Sequence, residues 1–418
     1  MVKNNLTQNN LILFDVEGVI IPKDDFLFRA TIEHLDVLEV IYIIILGALY
    51  KIRILALERA LRSIYRFFKG ISLVKFYQTF REIPFIPYAY EVIRKLKKQG
   101  YIIALLSSGL PALFVEDLAK CLGADYAFGL ELKTMDDYLT GEIGGVIMNT
   151  NGKSIIAKNL LKNLGSSYNR IVVADDRNNL PLISLCEKSI GFNPDPPFAN
   201  NCSYFIKGDI AEILPYIEFD IKKSRLNNIT KNELFREAIH VGSFLIPIIC
   251  WDLRIKPYLI GLLIALITTI YISSEYARFK GIKIPIINII TSNAIIDEEK
   301  WGFASSPILF AVGIILPLIF YSVPEGYVVI SVLTLGDGFA SIFGMILGKT
   351  LLPFNKLKSL EGTLIGFLLA FLGTLIFIDP IKGLIVAIIG TVVEVIPSPI
   401  NDNISIPIIL GIVLILFL

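Results

Sequence analysis

The chain has 418 residues, 39 Lys+Arg against 38 Asp+Glu, a net charge of +1, and 54% hydrophobic residues with a mean hydropathy of +0.66. That length exceeds one ordinary domain, and a balanced charge without Arg/Lys runs interleaved with aromatics argues against nucleic acid as a partner. Four cysteines (Cys121, Cys186, Cys202, Cys250) without metal-ligand spacing, and only two histidines (His34, His240), argue against zinc.

From the N-terminus, the first hydrophobic run stops at Asp15 with no small-residue cleavage pattern, so no signal peptide is expected. The first domain is therefore expected in the cytoplasm, with its cysteines reduced. Residues 11–14 form a short apolar run ending in an acid, as a buried parallel strand would. Residues 101–106 end likewise at Ser107, and 171–174 at Asp175. Between them, residues 88–99, 111–122 and 153–164 read as helices, each closed by a glycine. Strands alternating with helices predict an α/β doubly wound parallel sheet over residues 1–218. Ligands gather at the carboxyl ends of such strands, where Asp15, Ser107 and Asp175 fall.

Residues 22–87 interrupt the alternation with a mostly helical cap. Its charge-free stretch 40–50 is too short to span a bilayer and reads as a buried cap helix, with an interfacial helix facing lipid as the alternative. Residues 219–232 form a polar linker with Lys222, Lys223 and Arg225. The remainder, 233–418, reads as an all-α polytopic bundle of about seven spans, near 238–253, 257–274, 303–321, 327–347, 361–378, 381–396 and 404–418. With a cytoplasmic linker, the inside loops hold most Lys and Arg, including Lys280, Lys283 and Lys300. The outside loops hold only Arg254, Lys256 and Lys382, which predicts a multi-pass protein of the cytoplasmic membrane.

Asp15 and Glu17 lie two residues apart just past a strand, so an extended chain would point both to one side. One carboxylate can attack phosphorus while the second handles the leaving-group and water protons. Two anions beside a phosphate need a cation, so Mg²⁺ and a third acid, Asp175, are expected. Ser107 can hydrogen-bond the phosphoryl oxygens and Lys153 can neutralise them. These residues, as Asp15-Val16-Glu17-Gly18-Val19, Ser107-Ser108-Gly109, Lys153 and Ala174-Asp175-Asp176-Arg177-Asn178-Asn179, resemble the four ordered motifs of the HAD superfamily, in its phosphoserine-phosphatase-like branch. The resemblance implies Asp15 as nucleophile, Glu17 as acid/base and Ser107 and Lys153 as phosphate ligands. It also implies Asp15, the Glu17 carbonyl and Asp175 as Mg²⁺ ligands. Glu17 replaces the usual Asp, and Asn179 stands where the family has a second acid, a loss for which the adjacent Asp176 can compensate.

In the membrane half, small residues at Gly336, Ala340, Gly344 and Gly348 recur every four positions, forming a stripe where a backbone or ligand can approach closely. Packing does not explain the neighbouring Asp337, a charge inside an apolar span. The following loop carries Lys356, Lys358, Ser359, Glu361, Gly362 and Thr363, a set able to bind phosphates. Asp337, Ala340, Gly344, Gly348, Lys358, Ser359, Glu361 and Gly362 resemble the nucleotide signature of the CTP-dependent polyprenol kinases, the group of dolichol kinase and phytol kinase. Glu233 through His240 resembles a second motif of that group, with Glu237 where it has lysine. Glu394 and the run Asn401 to Pro407, containing Asp402 and Asn403, resemble a third. Glu275 and Arg278 close the second expected span.

The resemblance implies Asp337 holding Mg²⁺ on CTP and Lys349, Lys358 or Arg278 on the nucleotide's phosphates, with Glu394, Asp402 and His240 as candidate bases. The expected function is bifunctional: CTP-dependent phosphorylation of an isoprenoid alcohol, and hydrolysis of a small or lipid phosphate ester through an aspartyl-phosphate. The alternatives are CDP-lipid synthesis by a cytidylyltransferase, or a non-catalytic anchor or carrier for the phosphatase.

Overall fold

The computed structural model describes residues 9–23, 25–165, 168–219, 231–279, 304–398 and 400–417. Lys222, Lys223, Arg225, Lys280, Lys283 and Lys300, on which the expected sidedness leans, lie outside them. The chain divides into two compact units, Met1–Leu226 and Asn227–Leu418.

The first unit is built on β1 (Asn9–Asp15), β2 (Ile102–Pro111), β3 (Tyr126–Met135), β4 (Tyr138–Gly144), β5 (Tyr168–Ala174), β6 (Lys188–Phe192) and β7 (Tyr204–Ile206). They form one sheet in the order β4-β3-β2-β1-β5-β6-β7, parallel except for the β3–β4 hairpin. Leu11, Ile12, Leu13 and Phe14 are essentially fully buried, which explains an apolar run without alternation. Such burial contributes roughly 1.5–3 kcal/mol per side chain. Register sets Asp15 beside Leu106 of β2 and Phe14 beside Val173 of β5, so Asp15 at the end of β1, Ser107 in β2 and Asp175 just past β5 lie at one level on adjacent strands. Strand order reverses at β1, the position where such sheets hold ligands.

The cap consists of α1 (Asp25–His34), α2 (Val37–Lys51), α3 (Leu57–Phe67) and α4 (Leu73–Arg81). Phe26, Phe76, Phe80 and Phe114 form its aromatic core with centroid separations of 4.6–6.0 Å. α2 departs from the expected buried helix. Only Ile43 and Leu46 of its apolar side chains are buried, while Val37, Leu38, Ile41, Tyr42, Ile44 and Ile45 are 49–77% exposed. Around the sheet lie α5 (Ala89–Lys98), α6 (Ala112–Leu122) and α7 (Gly152–Leu164), close to the expected helices, followed by the short α8 (Leu180–Ile183), α9 (Pro196–Asn201) and α10 (Leu214–Glu218).

The second unit is helical: α11 (Lys231–Gly242), α12 (Leu245–Asp252), α13 (Pro257–Phe279), α14 (Ser306–Phe320), α15 (Glu325–Ser331), α16 (Gly338–Leu347), α17 (Leu360–Thr374), α18 (Pro380–Val395) and α19 (Asp402–Phe417). Among the described residues three stretches, Glu233–Asp252, Pro257–Arg278 and Glu325–Leu347, are long and apolar enough to cross a membrane, against the seven spans expected of the whole second half. Ser306–Phe320, Leu360–Thr374 and Asp402–Leu416 are apolar but shorter. Leu259, Leu262, Leu263, Leu266, Ile267 and Ile270 of α13 are at least half exposed, an apolar surface suited to lipid rather than water.

A π-helical turn, Val332–Asp337, joins α15 to α16. Such turns disturb the regular backbone ladder and frequently mark functional sites. The small-residue stripe proves to be a packing seam. A Cβ on Gly366 would lie 2.7 Å from Ala340 Cβ, one on Gly362 2.8 Å from Gly344 Cα, and one on Gly348 2.7 Å from Ser359 Oγ. Ala340, Gly344, Gly348 and Gly362, expected around a nucleotide, therefore serve chiefly to bring backbones together.

Candidate functional site

In the first unit, β1 ends at Asp15 and the chain turns at once, with the Val16 carbonyl accepting from the amides of Ile20 (2.9 Å) and Ile21 (3.1 Å). Gly18 takes φ +84°, and a side chain there would overlap the Asp175 carboxylate. The turn overrides the extended chain expected for Asp15 and Glu17, so the two carboxylates meet different partners. Asp15 Oδ1 accepts from Lys153 Nζ at 2.7 Å and from the Val16 amide at 2.9 Å. Glu17 Oε2 accepts from Ser107 Oγ at 2.9 Å and from the Gly109 amide at 3.3 Å. The Ser107 hydroxyl in turn accepts from the Leu110 amide at 2.8 Å.

Lys153 reaches Asp15 from the first turn of α7, whose Gly152 has no room for a side chain against the Val146 carbonyl and the Ile147 backbone. The ammonium also donates to Asn179 Oδ1 at 2.9 Å. Asn179, fully buried, donates its amide to Asp15 Oδ2 and, at 2.9 Å, to Asp176 Oδ1. The residue that looked like a lost acid is thus a hub linking the nucleophile candidate, the lysine and Asp176. Lys23, which motif reasoning missed, donates to Asp175 Oδ2 at 2.6 Å and lies 3.4 Å from Asp176 Oδ2. Tyr65 of the cap, also missed, donates to the Gly109 carbonyl at 2.7 Å. Nothing in the spacing of either residue points to the site.

Burial pushes the Asp15 carboxyl up, against the pull of Lys153. Burial likewise pushes Asp175 well above the ordinary range, despite Lys23. Asp176, although buried, is held below that range by Lys23 and Lys153. Oxygens of Asp15, Asp175 and Asp176 lie within 4.8 Å of one another, and Asp175 Oδ1 is buried without a hydrogen-bond partner. Three converging carboxylates, one of which carries an unsatisfied buried oxygen, suit a hard divalent cation. Asp176 joins Asp15 and Asp175 in this cluster, and the Glu17 carboxylate lies on the Ser107 side.

Replacing Lys153 with Met leaves Asp15 buried without its ammonium. Loss of about 3–5 kcal/mol of folding stability is expected at neutral pH, shrinking on acidification as Asp15 protonates. Denaturant melts of wild type and variant across pH check this, and a loss of equal size at every pH contradicts it.

In the second unit, Asp337 ends the π-helical turn. Lys358 Nζ lies 3.7 Å from Asp337 Oδ1 and 3.4 Å from Asp402 Oδ2, and pairs most closely with Glu394. Acids from three helical segments are thereby gathered around one ammonium, which a hairpin strand (Asn355–Ser359) carries. His240 Nδ1 faces Asp337 Oδ2 at 3.8 Å, and its ring stacks on Phe310 at 3.8 Å. Gly338 admits α11 closely, since a Cβ there would lie 2.9 Å from Val241 Cγ2. Asp337, Thr363, Thr391 and Glu394 line a small cavity.

Several expected nucleotide contacts have other work. Arg278 and Glu275 pair with each other at 2.7 Å, and Glu275 also accepts from the Ala304 amide at 3.3 Å. Glu361 accepts from the amides of Lys349 and Thr350, both at 3.1 Å, and Ser359 caps α17 through the Gly362 amide at 3.2 Å. Asn403 is buried against α14, its carbonyl filling the space a Gly313 side chain would need. Asp337, Lys358, Glu394, Asp402 and His240 are the expected residues that the fold brings together.

The HAD, haloacid dehalogenase-like hydrolase, family matches residues 12–182. Phosphoserine phosphatase of Methanocaldococcus jannaschii is 29% identical over 163 residues, which cover 38% of this chain and 77% of that protein. Probable phytol kinase 2, chloroplastic, of Glycine max is 30% identical over 200 residues, covering 42% of this chain and 63% of that protein, just under two thirds. Among solved structures, a substrate-bound phosphoserine phosphatase complex is similar at 25% identity and a TM-score of 0.46, covering 50% of this chain and 99% of that one.

Proposed function

We propose, for a chain that joins a HAD-like phosphatase domain having phosphoserine phosphatase homologues to a C-terminal part having phytol kinase homologues, a membrane protein with two phosphoryl-transfer activities. The observation that carries the reading is the gathering of phosphate-handling residues twice: Asp15, Glu17 and Ser107 at the carboxyl edge of the sheet with Lys153 from α7, and Asp337, Glu394 and Asp402 around Lys358 of the hairpin strand.

In the first unit, an Asp15 oxygen attacks the phosphorus of a monoester and the bond from phosphorus to the ester oxygen breaks. Protonated Glu17 supplies the proton to the departing alkoxide and then takes one from the water that releases phosphate from Asp15. Lys153 and Ser107 hold the phosphoryl oxygens through the transfer. Asp15, Asp175 and Asp176, with the Glu17 carbonyl, would hold Mg²⁺, which neutralises charge on the phosphoryl group when bound. In the second unit, the hydroxyl oxygen of an isoprenoid alcohol attacks the γ-phosphorus of a nucleoside triphosphate, in our reading CTP, and the diphosphate leaves. His240, 3.8 Å from Asp337, takes the hydroxyl proton in this reading, and Lys358 steadies the phosphates. Asp337 would share Mg²⁺ with the phosphates, as such sites commonly do with few protein carboxylates.

Transfer of label from γ-labelled CTP to an isoprenoid alcohol by the purified chain tests the kinase. Labelled pyrophosphate in place of labelled lipid would instead favour a cytidylyltransferase.

Metal binding gives a second check. Asp15 and Asp175 hold protons more tightly folded than unfolded, so without a divalent ion their contribution to stability is present at low pH and is lost as pH rises through their raised folded values. Asp176 works in the opposite sense. Mg²⁺ at a hundredfold its dissociation constant is expected to add about 2.7 kcal/mol to the folded unit at neutral pH. Thermal melts of the full chain with Mg²⁺ or EDTA measure it, and Asp175→Asn should abolish the difference. Identical melts in both conditions would exclude the metal.

A further inference from the structure

One feature of the first unit stands outside both sites: the bare apolar face of α2. At 100° per residue, positions 37, 38, 41, 42, 44 and 45 fall on one side of the helix and the buried Ile43 and Leu46 on the other. The exposed side is a continuous face of branched aliphatic side chains and one tyrosine. From residue 40 to residue 50 it has no charge, and at its C-terminal end stand the exposed cations Lys51 and Arg53. A capping box between Asp36 and Glu39 fixes the helix at its other end.

The same helix is fastened to the phosphatase site. Arg177 Nη2 donates to the Tyr50 carbonyl at 2.8 Å and its guanidinium lies 5.0 Å from the Tyr50 ring centroid. Asn178 Nδ2 donates to the Tyr50 hydroxyl at 2.6 Å. Arg177 and Asn178 directly follow Asp175 and Asp176, so the end of α2 and the acid cluster belong to one hydrogen-bonded assembly.

We infer that the exposed face of α2 lies in the surface of an anionic bilayer, and that the phosphatase site thereby takes its phosphomonoester from an amphiphile resting in that surface. This rests on the reading of the second unit as membrane-embedded. Three observations select lipid as the occupant. The apolar face, with cations at its C-terminal end, has the character of an interfacial helix. Residues 220–230 join the first unit covalently to the second, so a membrane-embedded second unit keeps the first tethered to a bilayer. The latch at Tyr50 ties the depth of α2 to that of the acid cluster, so a docked helix brings the cluster to headgroup level. A substrate whose phosphate sits at that level and whose chain stays in lipid meets the site without leaving the membrane.

The test uses the full chain in vesicles containing anionic lipid. An environment-sensitive fluorophore is placed on Ile41→Cys in a Cys121→Ser background, and on native Cys121 as reference. Cys202 and Cys250 are buried, and burial pushes the Cys186 thiol up to about 12, so labelling should be selective. Quenching by spin-labelled lipid is expected at position 41 and not at 121. In the same vesicles Ile41→Asp should lower phosphate release from a long-chain alkyl monophosphate by about tenfold or more while leaving phosphoserine hydrolysis within about twofold.

Equal quenching at both positions overturns the inference. So does a blue-shifted but unquenched label at position 41, the result expected if a second copy or another part of the chain covers the face. So too does an equal effect of Ile41→Asp on both substrates. Extraction of the whole chain by alkaline carbonate would instead remove the membrane reading itself, and the inference with it.

Discussion

Asp15→Asn is expected to lower phosphate release by at least about 10³-fold, because the amide cannot act as the attacking oxyanion. The substitution keeps the shape of a side chain that is only 4% exposed and already accepts from Asn179 and the Val16 amide, so the fold should survive. Lys153 retains Asn179 as a hydrogen-bond partner and the nearby charge of Asp176. The decisive measurement is trapping of ³²P on the protein from a labelled monoester, followed by release into solution. Wild type should carry label on Asp15 and the variant none. Turnover by the variant within tenfold of wild type would show that another group attacks phosphorus, and the assignment of the strand-end carboxylate would be lost. Transfer from CTP to lipid should be unaffected, which separates this result from general misfolding.

The second large effect is expected at Asp337. Asp337→Asn should lower γ-phosphoryl transfer to the lipid alcohol by at least about 10²-fold, since it removes the charge proposed to hold Mg²⁺ on the nucleotide. Lys358 keeps Glu394 and Asp402 as partners in that variant, so the cluster should hold together. Phosphomonoester hydrolysis by the first unit should stay at the wild-type level. An anchor that only holds the phosphatase at a membrane has no use for this carboxylate. Retained lipid phosphorylation in the variant would therefore move the metal to another residue, and absence of lipid phosphorylation even in wild type would favour the anchor.

The two sites are not equally legible from sequence. In the first unit, the apolar runs 11–14, 101–106 and 171–174 lie within observed strands, and the expected site residues Asp15, Glu17, Ser107, Lys153 and Asp175 meet. Short-range order is written in periodicity, and the motifs stand at the strand ends that this periodicity marks. In the second unit, Asp337, Lys358, Glu394, Asp402 and His240 come together as expected. Arg278 pairs with Glu275, Glu361 accepts from the Lys349 and Thr350 amides, and the glycines pack against neighbouring helices. A glycine that faces a helix and one that faces a ligand look alike in a sequence, and only the neighbour decides between them.

What the sequence determined by itself was the alternation of strand and helix, the seam between a charged first half and an apolar second half, and the residue types that chemistry on phosphate requires. Tertiary structure decided which side chains share those charges. Lys153 reaches Asp15 across 138 positions, Asn179 reaches it across 164, and Lys23 finds Asp175 across 152. It also decided that the apolar helix 37–51 faces outward. Hydrophobicity states what a segment gains by leaving water but not what it meets there, and that second quantity depends on packing between elements remote in the chain.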